Sequence, residues 1–265
     1  MKPTLLGMTL FALIGLSTWK ADETVLTDAE QHFLAGANSR NDSDAARKLF
    51  AQSASEYDEL WQRGHHNAAL ARNRARAHRL SGNLPAAIAA LHDGLAAARY
   101  DRALQVELEE TRSAVAYPHD DLAVQCRPRP PGGIGSRMAP IEAYLAAGLF
   151  WLLACLGVAR FAMTRVPGWL LISGIALVCL AILGGFWIQD WRRQTNEHDR
   201  PLVIVKDDCA LKVGNGDTWP DRLKWKLPRG VEARELARRG GWVQVELAAG
   251  AAGWLPETNI LNITR

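Results

Sequence analysis

The sequence predicts a multi-domain membrane protein in which an all-α module, a transmembrane helical hairpin and a small all-β barrel come one after another. Three patterns predict it. Thr27 to about Ala116 is Ala-rich, almost proline-free and patterned at helical spacing; Ala143 to Ala159 and Val166 to Ile188 are closely spaced apolar runs; and after Arg200 short alternating runs are separated by Gly and Pro. At 265 residues the chain has room for two compact domains beside its apolar middle and none for a large enzyme fold. The formal net charge of +3 comes from 31 basic against 28 acidic side chains, so the overall balance gives no pull towards nucleic acid.

The chain opens with a single Lys2, an apolar stretch from Leu5 to Leu16, and small residues at Gly15 and Ser17. That stretch is too short to span a bilayer comfortably and reads as a secretion signal over residues 1–18, cleaved near Ser17 or Thr18, with an uncleaved anchor as the alternative. Either form sends the next segment across the membrane. A hairpin then returns the chain, so both soluble parts are expected outside the cytoplasm of a bacterial inner-membrane protein. Arginine counts do not agree cleanly, because the hairpin turn holds Arg160 and Arg165 while the outer flanks hold Arg137, Arg192, Arg193 and Arg200.

Residues 27–116 are expected to be helical hairpins. Ala46, Phe50, Ser53 and Tyr57 form one stripe, and Ala87, Leu91 and Leu95 form another. Gly82 breaks a helix and Pro85 restarts it in the first turn, where a missing amide donor does no harm. Asn41 to Asp44 supply capping side chains for an earlier helix, and Leu104, Leu108, Thr111 and Val115 mark a further one that covers the array. Arg72, Arg76 and Arg79 share one face and predict a cationic groove suited to an acidic segment or a chain-terminal carboxylate; a solvated basic face is the competing reading.

Residues 117–140 hold Pro118, Pro128, Pro130, Pro131 and Pro140 with Gly132, Gly133 and Gly135, a composition that predicts a flexible tether. The apolar runs extend to predicted membrane helices at 141–163 and 166–188. A ~30 Å hydrocarbon core needs roughly twenty apolar residues, and the second run has no charged side chain. Trp169, Trp187 and Trp191 fall near the predicted membrane boundaries, and Trp151 is expected to pack mid-span. Ala143 with Ala147 and Ala181 with Gly185 are candidates for close helix approach.

In the tail, 200–265, strands are expected at Leu202 to Val205, Ala210 to Val213, Val231 to Leu236, Trp242 to Leu247 and Gly253 to Leu255. Trp219 and Trp225 flank a loop and are the candidate surface aromatics, whereas Trp242 and Trp254 are expected in the core. Cys126 and Cys209 lie outside the membrane segments, and nothing in their spacing demands a disulfide. His65-His66, His119-Asp120-Asp121 and His198 lack zinc-ligand spacing, and no nucleophile elbow or phosphate loop is present, so no catalytic residue, metal or cofactor is assigned.

Ala71, Ala75, Gly82, Ala87, Leu91 and Gly94 fall at the offsets of the tetratricopeptide repeat, which residues 27–116 resemble; Arg74 and His78 stand where that family packs Leu and an aromatic. The order Leu211 to Gly216, Leu227 to Val231, Gly240 to Val245, Gly253 to Leu255 is similar to a bacterial SH3-type domain. Signal, repeats, membrane helices and SH3-like tail, in that order, resemble the BatE-type proteins of bacterial aerotolerance operons. That resemblance implies a membrane-bound scaffold with an envelope-stress or assembly role, working beside von Willebrand A-domain membrane proteins and a MoxR-type ATPase, and the missing catalytic motifs make it non-enzymatic. The alternative is a wall anchor whose tail binds peptidoglycan.

Overall fold

A polar cap starts each of four successive helices. Asp42 accepts from the amides of Asp44 and Ala45, Asn67 from Leu70, Asn83 from Ala86 and Asp101 from Leu104, each worth about 1 kcal/mol. The computed structural model describes the backbone of residues 5–39, 42–128 and 140–263, and the side chains of 22–39, 42–128, 141–188 and 200–263. The signal predicted at 1–18, the centre of the tether, Trp191 and His198 lie outside those described side chains.

The helices are α1 (Leu5–Asn38), α2 (Ser43–Gln62), α3 (Ala68–Leu80), α4 (Leu84–Ala97), α5 (Arg102–Ser113), α6 (Asp120–Cys126), α7 (Pro140–Thr164) and α8 (Gly168–Asp199). Strands β1 (Leu202–Val205), β2 (Glu232–Arg239), β3 (Trp242–Glu246), β4 (Ala252–Pro256) and β5 (Ile260–Asn262) form one antiparallel sheet in the order β4-β3-β2-β1-β5. Ala210 to Val213 is not a ladder strand; it makes isolated bridges, Lys212 with Asp221 and with Trp254. β5 escapes a pattern reading because it is only three residues long.

The chain divides into two units, Met1–Arg127 with Leu202–Arg265, and Pro128–Pro201. In the first unit the predicted stripes turn inward. Phe50, Ser53 and Tyr57 are buried, Ala46 and Leu95 half-buried, and Ser53 donates to the Ala29 carbonyl. Gly82 turns the chain from α3 to α4 at φ +88°, a left-handed conformation that glycine adopts without penalty. Gly94 has a different role: a Cβ there would lie 2.5 Å from the Ala71 Cβ, so α3 and α4 approach as closely as their backbones allow.

Two expectations are overturned. Asp120–Cys126 of the predicted tether is helix α6, with Leu122 and Cys126 fully buried. The physical reason lies in the composition: between Pro118 and Pro128 there is neither Pro nor Gly to break a helix, and an apolar pair is spaced to face inward. The helical module is also not free to reorient on that segment. Ala71, Ile88, Leu91, Leu104, Leu108 and Val115 of the helices belong to the same hydrophobic cluster as Val203, Ile204, Val205, Val231, Val243 and Leu255 of the sheet. Helices and sheet share one core.

In the second unit, α7 and α8 pack as an antiparallel pair, and Ile141–Thr164 and Gly168–Ile188 are long and apolar enough to cross a membrane. α7 runs on through Arg160 to Thr164 and α8 starts at Gly168, so Arg160 belongs to the helix and not to the turn, and lies over the Trp169 ring at 5.5 Å. Contact between the helices is made by Ala154, Gly157, Ser173 and Ala176, whereas Ala181 and Gly185 are exposed. Trp151 also faces outward. Ala143 and Ala147 are half-buried.

Gly94→Ala should therefore lower unfolding stability by roughly 1–3 kcal/mol through overpacking against Ala71. Denaturant unfolding of the purified chain, with Gln52→Ala on an exposed face as control, is the check.

Candidate functional site

α3 and α5 lie side by side and frame a cleft of about 530 Å³ lined by Arg72, Arg76, Arg79, Arg102, Ala103, Val106, Glu107 and Glu110. Spacing explains the lining. Arg72, Arg76 and Arg79 repeat at four and three residues along α3, while Ala71 and Ala75 turn to the core. On α5, Leu104, Leu108 and Thr111 are buried, which leaves Ala103, Val106, Glu107 and Glu110 towards the cleft.

The three arginines come together as predicted, but they are not a free cationic stripe. Arg76 Nε donates to Glu107 Oε1 at 2.7 Å, Arg72 Nε lies 3.4 Å from Glu107 Oε2 without a hydrogen bond, and Arg79 donates to Glu110 at 2.8 Å. The Glu107 side chain is 7% exposed, so this carboxylate is a fixed part of the wall. Arg102 makes no ion pair among the described residues, and Val106 is 60% exposed, giving the cleft one open cation beside an aliphatic surface. Glu107 and Glu110 share one side of α5 by their three-residue spacing, but that this side meets the arginines follows only from the packing of α5 on α3.

Arg74 and His78, the two departures from the repeat pattern, form a separate polar cluster. Arg74 bridges Asp58 and Asp93, His78 pairs with Asp58 at 3.0 Å, and the Arg74 guanidinium lies over Trp61 at 5.3 Å. Burial acts to raise the Asp58 pKa, yet His78 and Arg74 hold it below the ordinary carboxylate value. Burial wins at Asp93 and pushes its pKa up, even beside Arg74.

The junction of helices and sheet is also ionic. Glu232 of β2, its side chain 4% exposed, accepts from Arg112 Nε at 2.6 Å and from Arg112 Nη2 at 2.7 Å, and pairs with His92 Nε2 at 2.9 Å. Desolvation alone would raise the Glu232 pKa, but His92 and Arg112 outweigh it and hold the carboxyl at about 2. Gly230, at φ +90°, brings the preceding turn against α4 and the segment just after α5: a Cβ there would lie 3.1 Å from Val115 Cγ2 and 3.3 Å from Ile88 Cδ1. The Ala249 amide donates to the Gln125 carbonyl at 3.0 Å, tying α6 to the loop after β3.

Trp219 and Trp225 are exposed by 49% and 38%, as predicted for surface aromatics. Trp219 lies flat on the Gly214 backbone, where a Cβ would come within 2.5 Å of the ring. Trp225 stacks on His119 with ring centroids 4.0 Å apart, and Lys224 lies over its ring. Trp242 and Trp254, expected in the core, are only half-buried, because Val243, Val245 and Leu255 take the inward positions and the tryptophans alternate onto the other face.

All four cysteines are free, so Cys126 and Cys209 are not joined; burial pushes their thiols up to about 12 and about 11. His65 pairs with Asp22, and the His66 ring lies tilted against Trp61 with centroids 4.5 Å apart. Among the described residues no cluster of three or more His, Cys, Asp or Glu could hold a metal ion. Compared with family models, curated proteins and solved structures, the chain matches none.

Because the folded pKa of Glu232 lies below its ordinary 4.5, its contribution to stability is complete above that value and is lost as the pH falls towards about 2. Glu232→Gln should lose that part of the acid dependence. It should also cost roughly 3–5 kcal/mol at neutral pH, because Arg112 is left buried without its counter-ion. Urea unfolding between pH 7 and pH 3 reads both effects.

Proposed function

We propose that this chain is a non-enzymatic, membrane-anchored scaffold whose groove between α3 and α5 captures an acidic protein segment. The observation that carries the reading is the cleft itself, in which four arginines face two glutamates beside exposed Val106. An incoming carboxylate meets a net positive wall, with Arg102 open and the outer edges of Arg76 and Arg79 still wet. Ala103 and Val106 favour an apolar side chain next to the acid. Such a ligand is a short acidic segment with an aliphatic residue, bound with an affinity that falls as salt rises.

In this reading α2 to α5 act as tetratricopeptide-like hairpins and residues 200–265 as an SH3-like domain, supported by the antiparallel helix pairs and by the antiparallel strand order. A BatE-type role, beside von Willebrand A-domain membrane proteins and a MoxR-type ATPase, rests on the sequence resemblance. A second reading, a wall anchor that holds peptidoglycan, is favoured by one observation: Trp219 offers nearly half its surface to solvent on a fixed glycine platform.

Arg102→Glu is the clean test. Arg102 is the first residue of α5 and has no ion pair among the described residues, so reversing its charge puts an acid at a helix N-terminus, where it is favourable, and breaks no described pair. Titrating a fluorescent Asp-Glu-Leu-Glu peptide into the full chain in detergent should give saturable binding that weakens at least tenfold in Arg102→Glu. Unchanged binding, or retention on purified wall sacculi lost in Trp219→Ala with no peptide binding, removes the groove reading.

A further inference from the structure

The chain leaves the first unit at Arg127 and re-enters it at Leu202, and both long apolar helices lie between these points. The segments before and after this gap make one interior. Ile88, Leu91, Val115, Leu122 and Cys126 share a core with Val203, Ile204 and Val231, Arg112 and His92 hold Glu232, and Ala249 is bonded to Gln125. Contacts at 2.6–3.0 Å cannot be made through a hydrocarbon layer of ~30 Å. Residues 22–127 and 202–263 therefore occupy the same side of any membrane, and the number of crossings between them is even.

Zero crossings is the competing even number, and the surface of the hairpin argues against it. Leu145, Leu152, Leu171, Ile175 and Val178 are each at least 60% exposed, and only 11% of each apolar window is buried. Among the described residues nothing covers that face, which in water would be left as an exposed apolar patch. In lipid it needs no cover, and the polar groups inside are satisfied: the Ser173 hydroxyl donates to the Ala154 carbonyl at 3.0 Å. Spans of 24 and 21 residues reach roughly 36 and 31 Å, enough for each helix to cross alone.

We propose that α7 and α8 each cross the bilayer as a hairpin inserted into a single discontinuous domain, with the turn at Arg165–Pro167 on the face opposite to that domain. The inference is independent of the groove. It also orders assembly: the apolar side of α4, α5 and α6 stays open until the hairpin has been inserted and residues 202–263 have returned to the side where the helices wait.

Three single-cysteine additions to the full chain test it by labelling with a membrane-impermeant maleimide, in intact cells and after permeabilisation. Gln52→Cys on α2, Thr258→Cys after β4 and Met163→Cys near the turn are all exposed positions, and the native Cys126 and Cys209 are buried. Wild-type protein gives the background for the remaining cysteines. Gln52→Cys and Thr258→Cys should label in the same preparation, and Met163→Cys only in the other. Labelling of Gln52→Cys and Thr258→Cys from opposite sides overturns the discontinuous domain. Labelling of all three from one side, or recovery of the chain in the soluble fraction after an alkaline wash, overturns the crossing.

Discussion

The Glu232 carboxylate, held by Arg112 and His92, is the constraint on which the rest of the first unit depends. A buried ion is tolerated only when its partners are in place, and here the partners come from two helices of one half of the chain while the acid comes from the other half. The pairing sets the register between helices and sheet at one point, and the apolar contacts of Ile88, Val115, Val203 and Val231 then fill in around it. It also explains why Val231, Glu232 and Ala233 are buried in succession: one side of β2 looks into the sheet's own core and the other meets α4 and α5.

α5 links this junction to the groove. Glu107, which pairs with Arg72 and Arg76 in the cleft wall, stands five positions before Arg112, which holds Glu232. One short helix thus supplies both an acid of the cleft wall and a partner of Glu232 at the junction with the sheet. The arrangement also limits what the tail presents. The turn before β2 lies against Val115 and Ile88 and is covered by them, whereas Trp219 and Trp225 are exposed.

Much of the local structure is legible in the sequence because it depends on short-range rules. The Asp42 cap, the Gly82 turn, the apolar runs and the alternation of Val243 and Val245 derive from residue type and spacing alone. The fusion of helices and sheet is not legible, since it depends on pairs 120 and 140 residues apart, Arg112 and His92 with Glu232. One hint is there. Leu202 to Val205 is apolar without alternation, as suits a strand covered on both faces, although the pattern does not say what covers it. Helical spacing places the arginines correctly, yet their neutralisation by Glu107 and Glu110 needs the packing of α5 on α3, which spacing within one helix does not reveal.

The central claim is that the segments before and after the α7–α8 hairpin form one cooperative body. Native-state hydrogen exchange on the full-length chain in detergent tests it most directly, read at the amides of α4 and α5 and of β1 to β3 as denaturant is added. A single body predicts that the slowest amides of both sets merge into one opening with the same free energy and the same denaturant dependence. Full exchange of β1 to β3 while α4 and α5 keep their protection, or the reverse, would contradict it.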